Sequence, residues 1–219
     1  MGVYIRTGTP WPEPRTPWAN TLAYYPLNST TTVNDKSGNG YNLTNNGGVT
    51  FNSLWATFSS NKWLSWSNFA QMPTRNSNRT YSIWFKQSSS IGTANYVFSM
   101  GSFVSLELVA LSIYNNSNNA YIDYWNGSIA LGYVPTLNRW HNAVFTNDGN
   151  WQKLYIDGVL KWTSTKTLAT TNSVILWMGD ASQFYFNWGM SEFIVENKAR
   201  TAQEVAYYYN QTKSTYWIS

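Results

Sequence analysis

Apolar positions in this chain recur with a period of two over many short stretches, each closed by a turn signal. The clearest run is 140–163. Trp140, Asn142, Val144 and Thr146 fall on one side of an extended segment, and His141, Ala143 and Phe145 on the other. Asn147-Asp148-Gly149-Asn150 then supplies residues that tolerate positive φ. The alternation resumes over 152–156, and Asp157-Gly158 turns the chain back into 159–163. Three antiparallel strands of this kind need a second apolar face to pack on.

The same reading predicts strands at 22–27, 54–58, 62–66, 81–87, 96–100, 104–112, 120–125, 128–131, 173–178, 184–186 and 190–196. Thr201-Ala202-Gln203-Glu204 is a capping box, since Thr201 can accept a backbone N–H while Glu204 reaches back. It predicts one helix over 202–212. Short strands separated by turns, with no interleaved helices, indicate an all-β, two-sheet antiparallel sandwich. Residues 1–20 hold four of the seven prolines, Pro10, Pro12, Pro14 and Pro17, and read as an extended arm or linker that could dock Trp11 and Trp18 on a neighbour. Residues 21–219 read as one domain, of a size that sandwiches reach undivided.

Trp140-His141 with Phe145, followed by Lys153-Leu154-Tyr155-Ile156-Asp157-Gly158, resembles the laminin-G-like domains of the concanavalin A-like lectin/glucanase superfamily. Three further blocks follow the family order. Leu22-Ala23-Tyr24-Tyr25-Pro26-Leu27 with Asn34-Asp35-Lys36-Ser37-Gly38-Asn39-Gly40 resembles the opening strand and its loop. Tyr81-Ser82-Ile83-Trp84-Phe85-Lys86 resembles the central strand, with shortened spacing before the Trp. Met190–Val195 through Glu204 resembles the closing strand and terminal helix. The resemblance spans 21–211 and implies a jelly-roll sandwich in the laminin-G manner with a short C-terminal helix. That fold hosts lectins, enzymes and inert spacers alike, so it implies no ligand by itself.

Asp35, Ser37, Asn39 and Gly40 could offer a carboxylate and several carbonyl oxygens to a hard cation such as Ca²⁺. In related domains this loop can hold a structural calcium. The same residues also suit a metal-free hydrogen-bonded turn, because Asp and Asn bond their own backbone readily. The family's usual acidic partner in the closing strand reads Ser191-Glu192 here. Relatives carry glycine near Trp55 and in the turn near Trp66, and Trp11, Trp18, Trp151 and Trp177 stand in settings that suit glycine equally. With 13 tryptophans in 219 residues, one account is that some of their codons are UGA, read as glycine in the source organism.

Composition narrows the function classes. Charged residues make up 11% against an average near ~25%, while aromatics reach 18% and Asn, Ser and Thr supply the polar surface. Such a surface suits secreted, cell-surface and virion proteins. The net charge of +4 is scattered without a basic run, which gives nucleic-acid binding little support. There are no cysteines, hence no disulfides or thiolate chemistry. No apolar run approaches the ~18 residues of a membrane span, so no membrane insertion is expected. The first residues lack the charged and apolar regions of a secretion signal, so an exported form is expected to be mature or part of a larger chain.

The one histidine, His141, excludes multi-histidine metal sites and reads as structural. Glucanases of this fold carry carboxylates on alternate positions of one strand, at the spacing glycoside hydrolysis needs. That pattern is absent, and Glu107 and Asp123 are the pair that could meet across adjacent strands. Binding is the stronger reading. Tyr121, Asp123 and Trp125 alternate with Ile122 and Tyr124 and so share a strand face, which Asn126, Trp151 and Trp162 could join. A sugar's apolar face stacks on Trp or Tyr while Asn and Asp bond its hydroxyls. Trp84 and Trp140 are assigned to the core between the sheets. The expectation is a non-catalytic carbohydrate-recognition or adhesion module whose partner is a glycan or a surface protein. A purely structural or protein-interaction domain is the second expectation, and a glycoside hydrolase the third.

Overall fold

The computed structural model describes residues 18–28, 33–59, 62–66, 71–88, 91–92, 94–102, 104–114, 119–125, 127–171, 174–176, 184–185 and 188–217. Expectations placed on the arm before residue 18, on Asn126 and on Trp177 lie outside them. In chain order the strands are β1 (Thr21–Tyr25), β2 (Thr44–Asn46), β3 (Thr50–Phe51), β4 (Ala56–Phe58), β5 (Trp63–Trp66), β6 (Arg79–Gln87), β7 (Ile91–Gly92), β8 (Ala94–Met100) and β9 (Val109–Tyr114). There follow β10 (Asn119–Asp123), β11 (Ile129–Ala130), β12 (Trp140–Asn147), β13 (Gln152–Ile156), β14 (Val159–Ser164), β15 (Val174–Leu176), β16 (Phe184–Tyr185) and β17 (Trp188–Glu196). Helix α1 (Ala202–Thr212) and a 3₁₀ turn (Lys213–Tyr216) come last.

The strands form two large antiparallel sheets, as a laminin-G-like jelly roll requires. One runs β14-β13-β12-β6-β17-β4-β3, with β1 also paired to β17; the other runs β11-β10-β9-β8-β15-β5-β2. Glu192, at φ +48°, breaks the register of β17, which pairs β4 before it and β1 after it. Ile83, Phe85, Ala143, Phe145 and Leu154 from the first sheet meet Val97, Val109, Leu111, Ile113, Ala120 and Ile122 from the second, and form the main core.

The 140–163 meander forms as the alternation predicts. Both residues of its second turn, Asp157 and Gly158, have positive φ, which is the demand of a tight two-residue hairpin. The capping box is also present, with the Glu204 N–H donating to Thr201 Oγ1 and the Thr201 N–H to Glu204 Oε2. Two expectations are corrected. Residues 104–107 turn instead of extending, because Leu106 sits at φ +65° with its N–H bonded to Tyr124 O. Trp84 and Trp140 are buried, but not between the sheets. They lie on the back of the first sheet, where Tyr216 stacks on Trp84 at 4.2 Å and Tyr209 packs beside them. Val205 and Tyr208 of α1 cover Val144, Tyr155, Tyr24 and Ile194 on that face. Both faces of β12 are therefore buried, one under a sheet and one under the helix.

Candidate functional site

The face of the second sheet turned away from the core carries the candidate site. Along β10, Ala120 and Ile122 enter the core, so Tyr121 and Asp123 face outward. Along β9, Val109, Leu111 and Ile113 enter the core, so Ala110, Ser112 and Tyr114 face outward beside them. The antiparallel register sets Tyr121 against Ser112 and Asp123 against Ala110. Tyr114 and Tyr121 have ring centroids 4.4 Å apart. Tyr114 Oη is 3.4 Å from Ser128 Oγ. Tyr96 of β8 packs on Ala110 and Leu108 at the next position across the sheet.

Asp123 is 2% exposed. One of its oxygens accepts a hydrogen bond from Ser112 Oγ, and the other, Oδ1, is buried with no hydrogen-bond partner among the described residues. Burial raises the pKa of this carboxyl, and the hydroxyls of Ser112 and Ser128 pull it down in part. Tyr96 and Tyr114 hold their phenol protons more tightly than usual, chiefly through burial, with the Asp123 charge adding to the effect. The arrangement is a buried carboxyl oxygen flanked by hydroxyls and tyrosine rings, of which Tyr114 and Tyr121 are partly exposed. The partly exposed rings can pack a ring-shaped ligand, and the carboxyl oxygen meets a hydroxyl or amide donor only where the side chains covering it move aside.

The other sequence candidates are placed as follows. Trp125 lies beyond the end of β10 at φ +49° and is 38% exposed, so the strand alternation stops before it reaches the indole. Trp151 is exposed in the turn between β12 and β13. Trp162 does not join the outer face: it packs against the main core with its ring 6.4 Å from that of Tyr124, a residue of the core face. Sequence reading missed Ser112, Tyr114, Tyr96 and Ser128. The alternation of Val109, Leu111 and Ile113 was the signal for the first two.

Asp35, Ser37 and Asn39 do converge, alongside β1, while the Gly40 carbonyl accepts from the Asn42 N–H. Asp35 Oδ1 accepts from the backbone N–H groups of Tyr24 at 2.9 Å and Ser37 at 2.8 Å, and Oδ2 from Ser37 Oγ at 2.7 Å and Tyr41 N–H at 3.1 Å. Asn39 Nδ2 donates to Leu22 O. Four donors thus surround the one carboxylate, and a calcium ion would have to displace them. As arranged, the loop fits a hydrogen-bonded turn and not the ion. His141 is buried, with Nδ1 at 2.8 Å from Asp157 Oδ2 and 3.1 Å from Tyr133 Oη, and Nε2 at 3.3 Å from Thr136 O. Glu192 accepts from Tyr208 Oη at 2.7 Å. Glu107 lies in the turn before β9.

Residues 58–206 match a laminin-G family model of the concanavalin A-like lectin/glucanases superfamily, and the chain belongs to that superfamily. No curated protein sequence matches it. Among solved structures, the receptor-binding domain of botulinum neurotoxin type G is similar at a TM-score of 0.69 and 15% identity, covering 89% of this chain and 52% of that one. The ligand-binding domain of botulinum neurotoxin serotype D, solved with N-acetylneuraminic acid, gives 0.66 and 18%, covering 88% and 51%. Domain 4 of AbnA, an extracellular arabinanase of Geobacillus stearothermophilus solved with arabinotriose, gives 0.65 and 15%, covering 85% and 97%. The chain spans about half the length of the neurotoxin domains.

Proposed function

We propose that this chain is a non-catalytic carbohydrate-recognition module of an extracellular, cell-surface or virion protein. The observation that carries the reading is the buried Asp123 Oδ1, unpartnered among the described residues, on an outer sheet face beside Tyr96, Ser112, Tyr114 and Tyr121. An unpaired acceptor in a buried site costs about 1–3 kcal/mol, and a sugar hydroxyl would remove that cost. Tyrosine rings supply the surface on which a pyranose or furanose stacks. Similar folds solved with N-acetylneuraminic acid and with arabinotriose lend support to this ligand class.

Support for a non-catalytic role comes from the similar folds, which are the receptor- or ligand-binding domains of botulinum neurotoxins and domain 4 of an arabinanase. A glycan microarray probed with the folded wild type, Asp123→Asn and Tyr121→Ala tests the proposal. Binding to a glycan that both substitutions weaken at least about 10-fold is expected, the loss of one charge-assisted hydrogen bond. An array without a hit returns the domain to a structural role, and a hit that neither substitution alters moves the binding away from the Asp123 face. Release of reducing ends from β-glucans would overturn the non-catalytic half.

A further inference from the structure

A second site lies on the other sheet, where the chain enters β1 and leaves β17. A cavity of about 430 Å³ is lined by Trp18, Asn20, Arg200, Gln203 and Tyr207, with Glu196, Lys198 and Glu204 completing its wall. That volume falls in the ~300–1,000 Å³ range of small-molecule sites. Arg200 is 3% exposed and fixed on three sides. Its Nε and Nη2 donate to the two oxygens of Glu196 at 2.7 and 3.1 Å. Its guanidinium carbon lies 4.0 Å from the Trp18 ring centroid and 4.8 Å from that of Tyr208. The third nitrogen, Nη1, is buried with no hydrogen-bond partner among the described residues.

From this geometry we infer that the Trp18–Arg200 cavity is a second ligand site, and that its ligand is a neutral saccharide. The charges of the wall are already closed in pairs, Arg200 with Glu196 and Lys198 with Glu204. An anionic ligand would meet the two glutamates, and a cationic one Lys198 and Arg200. What remains is the amides of Asn20 and Gln203, two aromatic side chains, and the buried N–H groups of Arg200 Nη1, whose guanidinium charge Glu196 already balances. Trp18 is 42% exposed and Tyr207 63% exposed. Such rings accept the apolar face of a sugar, and amides and a guanidinium N–H bond its hydroxyl oxygens. No residue of this site belongs to the Asp123 face. Two separate sites would let one domain hold a multivalent glycan by avidity as well as by single contacts.

The test is ¹⁹F NMR of the full chain labelled with 5-fluorotryptophan, with the Trp18 resonance assigned through Trp18→Phe. Glucose, galactose, mannose, arabinose, xylose and N-acetylglucosamine are added singly at about 50 mM, enough to populate a site of millimolar Kd. At least one should move the Trp18 resonance. The exposed double variant Gln203→Ala/Tyr207→Ala should abolish that shift, and Asp123→Asn should leave it intact. The inference is overturned if no neutral sugar moves the resonance, or if only glucuronate or N-acetylneuraminate does so. A shift that survives the double variant overturns it as well. Loss of the shift in Asp123→Asn would instead assign it to the Asp123 face, which keeps the two proposals distinguishable.

Discussion

His141 Nδ1 lies 2.8 Å from Asp157 Oδ2, and this contact ties β12 to the turn at the end of β13. The other oxygen of Asp157 accepts from the Asn142 N–H at 2.9 Å, and the Asp157 N–H donates to Asn142 O at 2.8 Å. Trp140-His141 and the Lys153–Gly158 stretch, which together open the family resemblance, are thus two halves of one clasp. His141→Ala should cost about 1–3 kcal/mol, the penalty for stranding buried hydrogen-bonding groups. Urea unfolding measures that cost. Saccharide binding per folded molecule should be unchanged, which separates a structural histidine from one that touches ligand.

Asp123 gives a pH dependence with a definite sign. Burial raises its pKa above the unfolded value of ~3.9. The folded state therefore holds the proton more tightly than the unfolded chain. Its contribution to stability is complete below the unfolded pKa and is lost as pH rises through the folded one. Asp123→Asn should raise Tm at neutral pH and flatten part of that decline, while weakening saccharide binding. Calorimetry across that pH range checks the first half. A variant that loses both stability and binding would show Asp123 to be structural.

The Glu196–Arg200 pair has side chains only 2% and 1% exposed. Removing one partner of such a pair leaves a buried charge and costs about 3–5 kcal/mol, whereas an apolar replacement of both can be close to neutral. Glu196→Gln should therefore destabilise strongly, and Glu196→Leu/Arg200→Leu far less. Denaturant midpoints of the two variants decide it.

Calcium provides a fourth test. The donors around Asp35 already satisfy its carboxylate. Millimolar Ca²⁺ after EDTA should accordingly leave Tm unmoved. A rise in Tm would mean that the ion displaces those donors, because a ligand binding only the native state must stabilise it.

Trp125 and Trp217 adopt left-handed backbone at φ +49° and +55°, where a side chain costs about 1–2 kcal/mol and glycine costs little. Trp217 closes the 3₁₀ turn, its N–H bonding Lys213 O and Ser214 O, which is the glycine position of a helix end. It is 69% exposed and touches Trp55 edge-on. Trp217→Gly should raise Tm by roughly 2–4 °C, the shift that 1 kcal/mol produces in a domain of this size. Peptide mass spectrometry of the protein from its native source tests the UGA account. Glycine at 55 or 66 would support it, and tryptophan at both would end it.

Features set by local chemistry were legible in the sequence. The meander, its Asp157-Gly158 turn and the bounds of α1 follow from alternation, turn residues and a capping box, all within a few positions. The shared outward face of Tyr121 and Asp123 was legible for the same reason. Its neighbours Ser112 and Tyr114 were signalled by the alternation of Val109, Leu111 and Ile113, but which of them lies against Tyr121 depends on the β9–β10 register, which alternation alone does not fix. The turn at 104–107 was hidden too, since its Leu106 N–H bonds a carbonyl eighteen positions away. Trp84 and Trp140 illustrate a further limit: a period of two separates two faces but does not say which meets the other sheet and which meets a helix.

That helix has a consequence for biosynthesis. All strands of both sheets leave the ribosome before residues 202–216 do. Until then Trp84, Trp140, Val144 and Tyr24 lack the cover that Val205, Tyr208, Tyr209 and Tyr216 later provide. The nascent domain thus passes through a stage with a bare oily back, the kind of surface that recruits chaperones and seeds aggregation. A chain cut short at residue 200 would be held at that stage.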